Sequence, residues 1–322
     1  MTTTEPQPPA RRLPVALVFG AAVLLRLAFV APLHAPIVFA DEVAPTSFAR
    51  ALLGRHPTPT MAYEPFYHAG YAILSAPWTA MFGPIGAWHA ATVMNAALLA
   101  TTVPLVYLLL RDSLDVRPPL ALGAAAVTSL YPSLLLEAGF TWSESAVLTA
   151  VLLAYVACQR MMRTPTTWRA VAFGASAAAA YLVHARLLPL LVLAPVALYL
   201  ARRWHGLPTT AAIAGVATSV VLFLATRALH GWLRATLWVG SPATDEKEVV
   251  TRIFRDPVNL LRALGSFAGQ SWYLSVATFG LAPLGIARQT ARQMPVPEAK
   301  AGVAADSSCQ LESYRVSRCQ VG

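Results

Sequence analysis

From Leu13 to Val30 one charged residue, Arg26, interrupts an otherwise apolar stretch, and comparable stretches recur along the chain. Crossing the hydrocarbon core of a bilayer takes roughly 20 apolar residues in a helix. A helix satisfies its own backbone hydrogen bonds in lipid, so a chain made of such blocks folds as one helical bundle rather than as a row of soluble domains. Composition agrees. Of 322 residues 57% are hydrophobic and only 12% charged, about half the charged share of an ordinary soluble domain.

The pattern predicts an all-α polytopic transmembrane bundle of about eight crossings, near 13–31, 87–110, 118–136, 143–161, 168–183, 186–201, 208–229 and 266–287. The first is read as an uncleaved helix, being long for a signal-peptide core and lacking a small-x-small exit. Arg11 and Arg12, Arg111 with Arg117, Arg160 with Arg163 and Arg169, Arg202 and Arg203, and Arg288 with Arg292 fall on alternate sides of successive crossings. The positive-inside rule places all of them in the cytoplasm, with residues 1–12 as a cytoplasmic tail of a plasma or inner-membrane protein. Two large outer loops follow, about 32–86 and 230–265. The transmembrane domain then covers 13–292, and 293–322 is a polar tail expected to be disordered or to mark a truncated end. Between the fifth and sixth crossings His184-Ala185-Arg186 reads as a tight outer turn, since a charged pair in mid-membrane is costly.

The net charge of +9 belongs to these cytoplasmic arginines. No basic stripe interleaved with aromatics marks a nucleic-acid surface. Cys158, Cys309 and Cys319 have neither metal spacing nor the even count of a disulfide framework.

Chemistry gathers in the outer loops. Asp41 and Glu42 stand just beyond the first crossing, followed by an amphipathic segment Val43–Leu53, the stretch Tyr63-Glu64-Pro65-Phe66-Tyr67-His68, and an apolar segment Ala69–Phe82. Both segments read as helices lying in the interface plane. A carboxylate at that depth can take a proton from an acceptor hydroxyl, or Asp41 can simply cap the helix after it. A second acidic set, Glu137 and Thr141-Trp142-Ser143-Glu144, opens the fourth crossing. Ser143 or Thr141 could cap that helix with Glu144 in its first turn. Alternatively Glu137 or Glu144 faces Asp41 and helps hold an acceptor or a divalent cation such as magnesium, which prefers oxygen ligands. Arg186, beside His184, suits a phosphate at the hydrocarbon edge or snorkels to headgroups. Arg26 has the same two readings. The 230–265 loop, with Trp232, Trp238, Asp245-Glu246, Arg252 and Arg255, is either an acceptor surface or a solvated amphipathic loop.

In this order the residues resemble the membrane glycosyltransferases of the GT-C superfamily, the class of the protein O-mannosyltransferases and the lipid A aminoarabinose transferase. The resemblance covers roughly residues 13–205. It rests on Asp41-Glu42 after the first crossing, on Tyr63, Pro65 and Tyr67, on Ser143-Glu144 opening a helix, and on His184-Ala185-Arg186 before another apolar helix. It implies transfer of a sugar from a polyprenyl-phosphate carrier to a glycan, lipid or protein acceptor on the outer face. Asp41 would be the catalytic base or acceptor-orienting carboxylate, with Glu42 as its partner. Arg186 would meet the carrier phosphate, and Glu64, Tyr67, Glu137, Glu144 and His184 complete the substrate-binding candidates. The donor stays in lipid, so no nucleotide-binding loop is required. Members of that superfamily usually run longer, so two other readings stand beside it: a non-catalytic subunit or shortened relic of such an enzyme, and a lipid or solute transporter.

Overall fold

A computed structural model describes residues 12–36, 40–55, 68–237, 256–259, 261–262 and 264–265. Its contacts divide the chain into residues 1–259 and residues 260–322. The second unit contributes only helical residues 261–262 and 264–265 to the described part.

Among the described residues of the first unit every regular element is helical. The helices are α1 (Arg12–Val30), α2 (Ala40–Leu52), α3 (Gly70–Met81), α4 (Pro84–Ala100), α5 (Thr102–Leu114), α6 (Pro118–Ser129), α7 (Pro132–Leu136), α8 (Glu144–Arg163), α9 (Thr167–Val183), α10 (Leu188–His205) and α11 (Thr209–Leu237). Short 3-10 turns occupy Glu137–Gly139 and Ala185–Leu187.

Five of these stretches are long and apolar enough to cross a membrane: Leu13–Val30, Pro84–Leu114, Glu144–Arg163, Ala185–His205 and Thr209–Thr236. A sixth exists if α6 and the segment Pro132–Gly139, bent by 61°, count as one broken span. The protein is therefore a multi-pass membrane protein in its coarse design. Of the eight predicted crossings, 13–31, 143–161 and 186–201 coincide with single helices, and 208–229 is the first part of α11, which continues to Leu237 and so takes in the start of the expected 230–265 loop. The crossing at 87–110 is α4 running into α5. Its interruption at Thr101 has a plain cause, because Pro104 lacks the N–H that would bond to the carbonyl of Ala100. The crossing at 168–183 is α9, which has 17 residues, about 25 Å of helix, a little under the hydrocarbon thickness. The crossing at 266–287 lies outside the described residues, as do the 293–322 tail, Glu64 and Tyr67.

The outside of the bundle is apolar, with Leu24, Leu120, Val127, Val192 and Ile213 all exposed. A soluble protein does not present such a surface. The inside is built from small residues. Ala170, Ala177, Ala194, Ala201 and Ala211 form, with Met161, Phe173, Leu198 and Leu207, one core between α8, α9, α10 and α11. Gly174 on α9 lies so close to Gly215 on α11 that a methyl group there would collide with the Gly215 carbonyl oxygen. Ser219 Oγ closes the same contact by donating to the carbonyls of Gly174 at 3.3 Å and Gly215 at 3.1 Å. Close backbone approach through small residues, with a hydroxyl bridging, is how helices associate where lipid offers no hydrophobic drive. A second core ties α2 and α3 to α11 through Ala44, Phe48, Ala49, Ala69, Ala72 and Leu233.

Arg26 corrects an expectation. It neither snorkels nor faces a phosphate, because it is wholly buried. Its Nη1 donates to the carbonyl of Ala22 at 2.9 Å and to Ser129 Oγ at 3.1 Å, and its Nη2 donates to the carbonyl of Ser129 at 2.6 Å. Helix α6 stops at Ser129, and a helix end leaves carbonyls unpaired and a partial negative charge. The guanidinium supplies both needs, and the chain turns sharply into α7 immediately afterwards.

Candidate functional site

Glu42 sits in the first turn of α2, where the helix dipole favours a negative charge, and it is 4% exposed. Its Oε1 accepts from the backbone N–H of Thr141 at 2.8 Å and from Thr141 Oγ1 at 3.2 Å. A carboxylate this deep persists only with such donors. Thr141 is aimed by its surroundings. The 3-10 turn Glu137–Gly139 ends in extended backbone at Phe140, and the carbonyl of Phe140 accepts from Asn95 Nδ2 at 2.6 Å. Asn95, fully buried on α4, uses its Oδ1 to accept from the Tyr71 hydroxyl at 2.8 Å. One carboxamide thus joins α3, α4 and the 140–141 segment around Glu42.

Tyr71 is placed by a close backbone contact. A side chain on Gly70 would come within 2.6 Å of Val183 Cα and 2.7 Å of the Leu182 carbonyl oxygen, so only glycine lets α3 begin against the end of α9. Burial pushes the Tyr71 phenol well above its ordinary range. The bond to Asn95 opposes that shift and the negative charge of Glu42 adds to it. The phenol stays protonated and remains a donor.

Glu42, Thr141 and Tyr71 line a cavity of about 330 Å³ that they share with Arg50, Arg55, Phe82, Ile85 and Trp88. A mostly apolar hollow with a few convergent polar groups is the ordinary form of a small-molecule site. Arg55 reaches it from the loop after α2, donating to the carbonyls of Thr79 at 2.9 Å and Ala80 at 3.4 Å in the last turn of α3. It therefore brings a positive charge to the carbonyl end of α3 and to the cavity wall together.

A second cluster lies two residues along the chain from Thr141. Glu144 Oε1 stands 3.7 Å from His184 Nε2 and 3.7 Å from Arg186 Nη1. Its Oε2 accepts from Ser143 Oγ at 3.2 Å. The backbone N–H of Arg186 donates to His184 Nδ1 at 3.0 Å, which directs Nε2 at the carboxylate. His184 itself is extended and ends α9 before the turn into α10, so the fifth and sixth predicted crossings are separate helices.

Glu144, His184 and Arg186 do converge, with Ser145 Oγ fastening the carbonyl of Glu137 beside them at 3.1 Å. The capping roles expected of Ser143 and Thr141 are not found. Ser143 precedes α8 but makes no side-chain cap, because its hydroxyl turns to Glu144, and the hydroxyl of Thr141 serves Glu42. Asp41 is the second residue of α2 rather than the residue preceding it, which removes the N-cap reading. Its side chain lies outside the described residues. Among those residues no three His, Cys, Asp or Glu side chains gather closely enough to hold a metal ion. Both carboxylates already have protein partners, Glu42 in Thr141 and Glu144 in Ser143, His184 and Arg186. Arg186 is not among the residues lining the cavity with Glu42.

Sequence reading missed Asn95, Tyr71, Arg50 and Arg55. The signal for Asn95 was present, since a lone carboxamide inside an apolar block is costly and marks a function or a partner. Nothing in the sequence paired Arg50 and Arg55, because their shared wall exists only once α2 folds against α3. Compared with known proteins, the chain matches no protein-family model and no curated protein.

Proposed function

We propose that this chain is an integral-membrane glycosyltransferase of the GT-C kind, moving a sugar from a polyprenyl-phosphate carrier to an acceptor hydroxyl on the extracytoplasmic face. The observation that carries the reading is the buried carboxylate of Glu42, held by two Thr141 donors in the wall of a cavity that also receives Arg50 and Arg55. On this reading the chain crosses the membrane eight times from a cytoplasmic N-terminus, and α2 and α3 lie in the outer interface.

The chemistry follows from the residues. A carboxylate of the Asp41-Glu42 pair takes the acceptor O–H proton, and the freed oxygen electron pair attacks the anomeric carbon. The bond from that carbon to the carrier phosphate oxygen breaks, and the phosphate leaves with the electron pair. Positive charge where that anion develops supplies much of the rate. Arg50 and Arg55 share the Glu42 cavity, so they take this role in preference to Arg186. Tyr71, kept protonated, shapes the wall as a neutral donor.

Membranes containing the intact chain, supplied with labelled polyprenyl-phosphate sugars, test the reading. Label passing from the organic-soluble carrier to a water-soluble or protein acceptor, and absent from membranes without the chain, supports it. An unchanged carrier pool across the whole series of sugars refutes it.

A further inference from the structure

A second hollow lies on the lipid-facing side of the bundle, away from Glu42. It measures about 410 Å³ and runs between α10 and α11, with Pro195 and Tyr199 on one wall and Ile213 and Val220 on the other. Its lining is apolar except for Arg202 and Thr209, which flank the short turn 206–208 between the two helices. The hollow extends along α11 from Thr209 to Val220, which at 1.5 Å per residue is ~17 Å. Half of a 30 Å hydrocarbon core is ~15 Å. The groove is therefore one leaflet deep, open to lipid along its length and cationic at the headgroup level.

The charge at its mouth is concentrated. Arg202, Arg203 and His205 all stand in the last turn of α10, and α11 has no acidic residue in its first turn. Among the described residues no carboxylate pairs with Arg202. The start of α11 adds to this preference, since a helix N-terminus also favours an anion. Trp204 and Tyr199 are both exposed near this end of α10, aromatic residues of the kind membrane proteins carry at their interfaces. A neutral lipid would use the apolar wall and leave the cations unmatched.

We propose that this groove is a specific site for one anionic phospholipid, with an acyl chain between α10 and α11 and its phosphate on Arg202. The occupant is drawn from the surrounding bilayer, and the leaflet depth and charge of the groove select it. By the positive-inside rule this end faces the cytoplasm, where anionic lipids concentrate.

The site is tested by native mass spectrometry of the full chain, titrated with palmitoyl-oleoyl phosphatidylglycerol and, separately, with the phosphatidylcholine of the same chains. The intact protein should retain one phosphatidylglycerol at least fivefold more tightly than phosphatidylcholine. Arg202→Gln should remove that preference. Ala217→Phe, on an exposed groove position, should displace both lipids. Arg203→Gln, whose parent does not line the groove, should leave the preference in place. Equal retention of the two lipids, an equal loss in Arg202→Gln and Arg203→Gln, or full retention in Ala217→Phe would each overturn the proposal. So would a dimer that Ala217→Phe dissolves, because a second copy would then be the occupant.

Discussion

Asn95 offers the sharpest test of how the site is held. It accepts from Tyr71 and donates to Phe140, so Asn95→Leu removes both bonds and takes the acceptor from the buried Tyr71 hydroxyl. An orphaned buried group costs about 1–3 kcal/mol by soluble-protein measurements. Interhelical bonds inside a membrane average only about 0.6 kcal/mol, with a maximum near 1.7, because the unfolded chain also finds partners. Asn95 lies in the apolar α4, so the membrane scale sets the floor. Loss of both bonds should therefore lower stability by about 1–4 kcal/mol. The Tyr71 half is isolated by a cycle of Asn95→Leu, Tyr71→Phe and the pair, since Tyr71→Phe keeps the ring and removes only the hydroxyl. Denaturant titration in mixed micelles, followed by tryptophan fluorescence, should give a coupling of about 0.5–1.5 kcal/mol. Distant, independent sites add to within about 0.3–0.5 kcal/mol. A coupling inside that additive range, with Asn95→Leu as stable as the parent, would refute the network.

Further outcomes follow from other contacts. Arg26→Leu should destabilise by roughly 2–4 kcal/mol, because charge-assisted bonds at the α6 terminus are lost and Ser129 is left unpaired, whereas Arg26→Lys should recover part of this; thermal melting of the purified protein reads both. Gly174→Ala should cost about 1–3 kcal/mol by forcing α9 from α11, while Gly20→Ala, with open space around it, should be tolerated in the same melt. Gly70→Ala should shift α3 off the end of α9 and weaken any ligand of the Glu42 cavity more than it lowers folding stability, read by comparing binding isotherms with melting curves. Glu144→Gln should change stability by less than about 1 kcal/mol, since His184 and Arg186 sit 3.7 Å away and Arg186 is largely exposed, where ion pairs contribute little, and glutamine can still accept from Ser143.

Much of the architecture was legible because apolar block length and arginine placement are one-dimensional signals. Helices α1, α8, α10 and α11 can be found that way, and the turn at His184 follows from the cost of charge in lipid. The break at Thr101 was equally written in Pro104. What escaped was partnership across the chain. Arg26 reads as a surface cation until Ser129 is brought against it, a contact 103 residues away in sequence. Thr141 and Ser143 carry ordinary capping residue types, yet each hydroxyl goes to a carboxylate instead, because Glu42 and Glu144 need donors more than the helix end does. Asp41 takes the role of base, with Glu42 as its partner, only through the resemblance to the GT-C superfamily. Burial and the Thr141 donors belong to Glu42, the Asp41 side chain lies outside the described residues, and no sequence periodicity distinguishes two adjacent acids.

The account stands on Glu42, so the most direct measurement is carrier-dependent sugar transfer by Glu42→Gln set beside Glu144→Gln, at equal membrane expression. Glutamine keeps the Oε1 acceptor for Thr141 and removes the base. The account predicts a fall of at least about a hundredfold in turnover for Glu42→Gln, some 2.7 kcal/mol of barrier, with Glu144→Gln within about threefold of the parent. Transfer by Glu42→Gln at the parental rate, or a loss confined to Glu144→Gln, would contradict it and move the chemistry to the other acidic cluster.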